Sequence, residues 1–493
     1  MEKENYGIIA RQMGVSYLFT ILSFIFGPVL IILLTRNLSV AEYGVYSILA
    51  ATIAVLSVFL NLALNAFIIN KLPGENYYTR VKSMASILFF ELIFLITLVI
   101  VLFIPKIKNY LLSFLKLQNY SFEFQLVLII IFISIICYIL LYYLAANKKI
   151  ELQSFLSFSY NRLWVVLLLI FLLIFKRLDL KIVFSLWLSG LIISFITILF
   201  SLKKDIIFFF KKVKSISSKT IKNALIFSSP LIPASACGWV IVFADRYMIN
   251  YLKNSALTGI YSLSYSLVTL ILSFSMIISN VLHPYISKAW SDKKGHQILF
   301  NAMLKYNIII IFPASIGLFI LRKQIITLIS GTDYLLGSTA MAILILFPFF
   351  SFLTDLYSKN LALRDKTKLI ASIYICGALL NIILNYFLII KYGINGAAIS
   401  TIISYLLVFL SFHLATKKQF SWDYRFLKIK RIALSSILMG TVVYLVNPQI
   451  YATKILTIVL GVIIYAVLLF ALGVFVKDEY TIMKGFLPKI RKI

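Results

Sequence analysis

The sequence predicts an all-α polytopic membrane protein of about 14 transmembrane helices, with two six-helix lobes and two further C-terminal helices. Three observations predict it. The 493 residues are 62% hydrophobic with only 13% charged and a mean hydropathy of +1.00, against about 25% charged in soluble domains. Apolar runs of about 18 to 25 residues recur from end to end, each long enough to cross roughly 30 Å of hydrocarbon as a helix. Short motifs recur at a near-constant offset of roughly 215 residues.

Taken in order, the first six spans lie near Gly14–Thr35, Gly44–Ile69, Val81–Ile104, Phe124–Ala146, Phe155–Phe175 and Leu180–Leu202. A second six follow near Asn223–Tyr251, Leu257–Tyr285, Phe300–Leu321, Ser338–Leu363, Leu369–Ile390 and Gly393–Ala415, and Ile432–Val446 and Ala452–Val476 complete the chain. The N-terminal run is full length and lacks a small-residue cleavage site, so it reads as a retained first helix rather than a signal peptide.

Lys and Arg total 47 against 17 Asp and Glu, a net charge of +30. In a soluble chain this balance would point to nucleic acid. Here the cations sit in short loops, which points to membrane topology and anionic lipid and sets nucleic acid aside. With both termini on the cytoplasmic side, roughly 34 of these cations fall inside and roughly 12 outside, which favours N-in, C-in insertion in a bacterial or archaeal cytoplasmic membrane. Cys137, Cys237 and Cys376 all lie in apolar runs without metal or disulfide spacing, and read as small packing residues.

The basic loop Lys203–Lys222 divides the chain near residue 215. Gly44-Val45-Tyr46-Ser47 matches Gly259-Ile260-Tyr261-Ser262, and Leu144–Lys149 echoes Leu361–Lys366. The expected organisation is an N-lobe over 1–214, a C-lobe over 215–420, and a terminal helix pair with a cytoplasmic tail over 421–493. Parallel repeats of this kind are a transporter architecture, with substrate held between lobes that rock.

Three stretches carry a family resemblance. They are LTRNLSVAEYGVYSI (Leu34–Ile48), the Ser228–Tyr265 segment with Pro230, Trp239, Asp245-Arg246 and Gly259-Ile260-Tyr261, and the C-lobe stretch with Asn381, Asn385-Tyr386 and Tyr392–Ala398. Together they resemble the polysaccharide repeat-unit flippases of the MOP superfamily, the Wzx-like transporters of O-antigen and capsule units. Ser39 departs from the pattern, standing where Gly is common. The resemblance implies a MOP/MATE-like fold around a hydrophilic cavity and a polyprenyl-diphosphate-linked oligosaccharide moved from the cytoplasmic to the outer leaflet. It also implies work alongside a polysaccharide polymerase and glycosyltransferases, with no cofactor beyond a coupling ion, H+ or Na+.

Polar residues inside apolar runs are the candidates for that cargo, because ionised groups in hydrocarbon cost about 2.5 to 3.5 kcal/mol each at a helix centre. Arg162 is the first cavity cation, or else it snorkels to the interface. Arg246, Lys305, Asn61, Asn65, Asn381 and Asn385 join it as substrate or cavity candidates. The two Asn pairs are spaced i, i+4, which suits sugar contact or interhelical hydrogen bonding alike. Arg36, Glu91, Asp245, Asp355 and Lys359 are gate or ion-pair candidates. Glu91 and Lys305 occupy corresponding places in the two lobes, and Asp355 and Lys359 have the spacing of an intrahelical pair. Pro28, Pro230, Pro233, Pro313 and Pro348 mark kinks or hinges.

Two other functions compete. A cation or drug antiporter of the MATE type needs an acidic residue deep in a lobe, and only Glu91, Asp245 and Asp355 qualify. A polysaccharide-assembly membrane enzyme needs catalytic side chains on a sizeable outer loop. The predicted outer loops are short and basic, and His283, His296 and His413 are scattered, so no catalytic residue and no metal ligand is assigned.

Overall fold

The computed structural model describes residues 2–212, 216–229, 231–288, 292–364, 366–417, 422–446 and 451–475. Pro230, Asp365 and the tail beyond residue 475 lie outside the described residues. Among the described residues every regular element is helical, and 12 helices are long and apolar enough to cross a membrane, or 13 when a bent pair counts as one span. The chain is a multi-pass membrane protein. The seventh expected span is the helix Leu231–Leu252, which stands outside that count because Asp245 and Arg246 interrupt its apolar run.

Contacts group the chain into two units: residues 1–262 with 374–393, and residues 263–373 with 394–493. The first unit contains α1 (Glu2–Asn37), α2 (Val40–Leu60), α3 (Leu64–Lys71), α4 (Tyr77–Phe103), α5 (Pro105–Phe114) and α6 (Ser121–Ala146). It continues with α7 (Ile150–Phe175), α8 (Leu180–Ser201), α9 (Lys203–Lys212), α10 (Ser218–Ser228), α11 (Leu231–Leu252) and the start of α12 (Ser255–Lys288). Its centre is α6, which has no charged residue after Glu123 and is apolar on every face, as a helix surrounded by protein must be. Helices α2, α3, α4, α7 and α8 pack around it.

Local sequence explains several of these elements. Ser39 caps α2 and Glu42 reaches back to the Ser39 backbone, a capping box. Asn76 caps α4 by accepting from the Thr79 N–H, and Asp179 caps α8 by accepting from the Ile182 N–H. Gly190 lets α8 approach α7, since a Cβ there would lie 2.7 Å from the Trp164 backbone. Across this contact Trp164 stacks on Trp187 at 4.6 Å, and Ser159 and Ser194 share a 2.9 Å hydrogen bond.

The second expected span is interrupted. Residues 61–63 break it into α2 and α3, with Leu62 and Ala63 left-handed at φ 50° and 53°. No glycine or proline announces this break. The Ala63 carbonyl, which accepts from the Ala66 N–H at 3.0 Å as α3 begins, also accepts a hydrogen bond from the Ser228 hydroxyl at 3.0 Å.

The second unit holds most of α12, α13 (Lys293–Ile329), α14 (Ser338–Leu344), α15 (Phe347–Ala362), α17 (Ile394–Thr416), α18 (Tyr424–Leu427), α19 (Ile429–Val446) and α20 (Tyr451–Ala471), while α16 (Thr367–Tyr392) belongs mainly to the first unit. The expected span Ser338–Leu363 bends by 44° between α14 and α15. Pro348 sits in the first turn of α15, where its missing N–H costs no helical bond. The terminal helices pack on α13: Gly440 meets Ile316, Tyr465 donates to the Ile309 carbonyl at 2.8 Å, and Lys454 donates to Thr327 at 3.1 Å.

Candidate functional site

In the first unit a cavity of about 190 Å³ opens between α1 and α7. From α1 it is lined by Ser16, Phe19, Thr20 and Ser23, and from α7 by Gln153, Ser154, Ser157, Phe158 and Asn161. On each helix these positions recur every three or four residues, so each set forms one stripe. Seven of the nine lining residues carry hydroxyls or amides. Polar side chains within a membrane span face protein or water rather than lipid, and both stripes face the cleft.

The lining is partly tied together. Ser16 and Ser154 share a 2.7 Å hydrogen bond, Gln153 donates to Ser157 at 2.9 Å, and the Asn161 amide donates to the Ser157 carbonyl at 2.7 Å. Phe19 packs against Phe155 and Phe158, both at 5.5 Å, which places ring faces beside the hydroxyls. Donors, acceptors and aromatic faces in one concave surface suit a polyhydroxylated ligand.

Arg162 follows Asn161 on α7 and is half-buried, within electrostatic range of Tyr46 on α2. Its Nε is inside the protein without a hydrogen-bond partner. A guanidinium with a free inward donor is chemically suited to an anionic oxygen.

The other sequence candidates fall into separate clusters. Asp245 is fully buried, and its carboxylate accepts from the Tyr261 hydroxyl and, at 2.8 Å, from the Asn385 amide. Asn385 also donates to Asn381 at 3.0 Å. One i, i+4 Asn pair is thereby brought together with Asp245 as hydrogen bonding between helices. Arg246 donates to the Val242 carbonyl at 2.9 Å and lies over the Phe243 ring at 4.9 Å. Its neighbours tie α11 down as well, Tyr247 to Thr52 at 2.9 Å and Asn250 to the Leu115 carbonyl at 2.6 Å.

Asn61 and Asn65 flank the break between α2 and α3. Asn61 is buried and its amide nitrogen has no hydrogen-bond partner, while Asn65 is half-buried. Arg36 is exposed in the last turn of α1, where a cation complements the helix dipole. In the second unit Lys305 is fully buried, its ammonium 4.5 Å from the Phe426 ring and 5.9 Å from Phe475. Asp355 and Lys359 form the i, i+4 ion pair at 2.7 Å. Glu91, on α4, is fully buried with neither carboxylate oxygen hydrogen-bonded. Among the described residues no three His, Cys, Asp or Glu side chains gather as a metal site.

Sequence reasoning picked out Arg162, which follows the lining residue Asn161 on α7, and missed the cleft itself. The signal was present in the spacing Ser16, Thr20, Ser23 and Gln153, Ser157, Asn161, polar residues repeating at helical period within apolar runs.

Known proteins resemble this chain at three levels. It is 22% identical over 260 residues to the probable low-salt glycan biosynthesis flippase Agl15 of Haloferax volcanii, covering 51% of this chain and 53% of that protein. The chain thus spans about half the length of that curated relative. In fold it is similar to the lipid II flippase MurJ in its inward closed conformation, with a TM-score of 0.73 and 19% identity over 92% of this chain and 97% of MurJ. It is also similar to an inward-facing multidrug resistance MATE family transporter of the MOP superfamily, with a TM-score of 0.63 and 12% identity over 82% of this chain and 98% of the other. A MatE sequence model matches residues 230–387. The polysaccharide biosynthesis protein model matches residues 9–290, more than half of the chain and all of the helices that build the cleft. The chain therefore belongs to the polysaccharide biosynthesis protein family.

Proposed function

We propose that the protein is a flippase that moves a polyprenyl-diphosphate-linked oligosaccharide from the cytoplasmic to the outer leaflet of the cytoplasmic membrane, inserted N-in and C-in, for surface polysaccharide assembly. The observation that carries this reading is the hydroxyl- and amide-lined cleft between α1 and α7, whose lining residue Asn161 is followed on α7 by Arg162. Each sugar hydroxyl taken into hydrocarbon costs roughly 4 to 8 kcal/mol on the cyclohexane scale, so even a trisaccharide faces a barrier of tens of kcal/mol. A wet stripe of hydroxyls and amides exchanges hydrogen bonds with the glycan and removes most of that barrier. The lipid tail stays in the bilayer, and Arg162 offers charge-assisted hydrogen bonds to the diphosphate.

Support comes also from the relatives, one described as a probable glycan biosynthesis flippase and one as a lipid II flippase. On this reading the chain acts as a transporter rather than an enzyme, downstream of glycosyltransferases and upstream of a polymerase. The antiporter reading wants an acidic residue deep in a lobe, and none of the three that qualify, Glu91, Asp245 and Asp355, lines the cleft. Reconstitution in vesicles separates the two: translocation of a lipid-linked glycan without efflux of organic cations supports the flippase. Cation efflux without glycan translocation refutes it.

A further inference from the structure

Where α11 and α16 end in the first unit, lysines gather beside an apolar cavity. The cavity, of about 180 Å³, lies between α2, the end of α5, α11 and α16, with Ile48, Phe114, Leu115, Met248, Leu252 and Tyr386 in its wall. Two polar residues of the wall are already engaged: Tyr247 with Thr52 at 2.9 Å, and Asn250 with the Leu115 carbonyl at 2.6 Å and the Ser255 hydroxyl at 2.8 Å. What faces the space is mostly hydrocarbon and aromatic ring. Phe114, Tyr251 and Tyr386 of the same wall are themselves exposed, so the cavity is open to its surroundings.

Its depth in the bilayer follows from the residues around it. Tyr110, Tyr251, Tyr386 and Tyr392 are exposed at this end of the unit, and tyrosines at the ends of spans mark the headgroup level. Helix α5, about 15 Å long, is too short to cross and lies at that level, with Lys106 and Tyr110 exposed and Leu112 buried. From there the α11 wall runs about 7 Å inward from Leu252 to Tyr247, and Ile48 stands about 12 Å into α2. On α16 the exposed residues Leu379, Ile383, Phe387 and Ile390 are apolar, a face for acyl chains. The cavity thus begins beneath the headgroups and extends to the depth of the chains.

The cations are held in place at the same end. Lys116 donates to the Tyr251 carbonyl at 2.6 Å and lies over the Tyr251 ring at 5.0 Å. Lys253, next after Leu252, donates to the Ile390 carbonyl at 3.2 Å, and Lys391, next after Ile390, lies over the Tyr392 ring at 5.2 Å. Both carbonyls sit in the last turn of a helix, where a cation complements the dipole. Each bond uses one of the three N–H donors of an ammonium and leaves two. All three lysines are exposed, and among the described residues none is paired with a carboxylate. The acidic groups at this end are engaged elsewhere: Glu42 and Asp179 in helix caps, Asp245 with Tyr261 and Asn385, while Glu123 is buried. Cations at the headgroup level beside an apolar hollow match an amphiphile with a negative head. A free phosphate has no use for the hollow, and a zwitterionic lipid has little for the excess positive charge.

We propose that this is a binding site for one anionic phospholipid of the bilayer, its phosphate on Lys116, Lys253 and Lys391 and a segment of one acyl chain in the cavity. The bound lipid braces α5, α11 and α16 against one another. The inference depends neither on the identity of the cargo nor on which leaflet this end of the unit faces.

Native mass spectrometry of the purified full chain in detergent, with phosphatidylglycerol and phosphatidylcholine of identical chains added in equal amounts, tests it. Wild type is expected to retain phosphatidylglycerol at least tenfold over phosphatidylcholine. Equal retention of the two, or retention of neither, overturns the proposal, and this is read on wild type whatever the fold of any variant. Lys116→Gln, Lys253→Gln and Lys391→Gln combined are expected to lose the preference. Met248→Trp, which fills the cavity and keeps the lysines, is expected to weaken phosphatidylglycerol retention at least tenfold. Wild-type retention by either variant, shown to be folded by its thermal unfolding, contradicts the site. Excess glycerol phosphate is expected to leave the lipid bound; if it displaces the lipid, the headgroup alone is recognised and the proposal fails. Displacement by polyprenyl phosphate at equal concentration assigns the cavity to the carrier and overturns the phospholipid site.

Discussion

Gly44 and Gly259 bring α2 and α12 into backbone contact. A Cβ on Gly44 would lie 1.8 Å from the Ser255 carbonyl oxygen, and one on Gly259 would lie 2.3 Å from the Val40 carbonyl oxygen. The two glycines that mark the internal repeat are thus partners in space. Backbone carbonyls cannot swing aside as side chains do, so Gly44→Ala and Gly259→Ala are each expected to destabilise by about 3 kcal/mol. Thermal unfolding in detergent reads this, and wild-type stability in either variant contradicts it.

Asp245 is held by Tyr261 and Asn385 from two other helices. Hydrogen bonds to a charged group contribute roughly 1.5 to 3 kcal/mol, so Tyr261→Phe and Asn385→Ala each lose about that much. The two share one acceptor, so the double variant loses less or more than the sum. Strict additivity in a denaturation cycle rules out a shared hub.

The left-handed Ala63 stores strain that an L-residue meets and glycine does not, roughly 1 to 2 kcal/mol. Ala63→Gly is expected to stabilise by about 1 kcal/mol after glycine's own entropy is counted. Ala63→Val, β-branched at the same φ, destabilises. A destabilised Ala63→Gly contradicts this account of the break.

Arg162→Ala weakens binding of the polyprenyl-diphosphate carrier by roughly ten- to a hundredfold, the equivalent of about 1.5 to 3 kcal/mol for a charge-assisted hydrogen bond. Arg162→Lys recovers part of it, because charge is kept and the planar fork is lost. Equal affinity of wild type and Arg162→Ala for the carrier removes the arginine from the site.

What the sequence revealed depended on how local each signal was. Apolar runs of spanning length are local, and they located nearly every helix. The run around α11 was legible too, although Asp245 and Arg246 weaken its apolar character. The break at Leu62 and Ala63 was not, because neither residue prefers the left-handed region, and the Ser228 hydroxyl that donates to the Ala63 carbonyl lies 165 residues away. Asp245 read as an anomaly, but its partner Asn385 lies 140 residues on, and spacing alone does not pair them. The cleft was half legible. The stripes on α1 and α7 have helical period, yet only packing shows that they face one another.

The most direct test of the central claim fills the cleft. In vesicles carrying a lipid-linked oligosaccharide, wild type is expected to translocate the glycan, and Ser157→Leu combined with Thr20→Leu, which replaces two lining polar groups with bulk, is expected to slow translocation at least tenfold while the protein remains folded. Translocation at the wild-type rate by the folded double variant would contradict the claim that the glycan passes through this cleft.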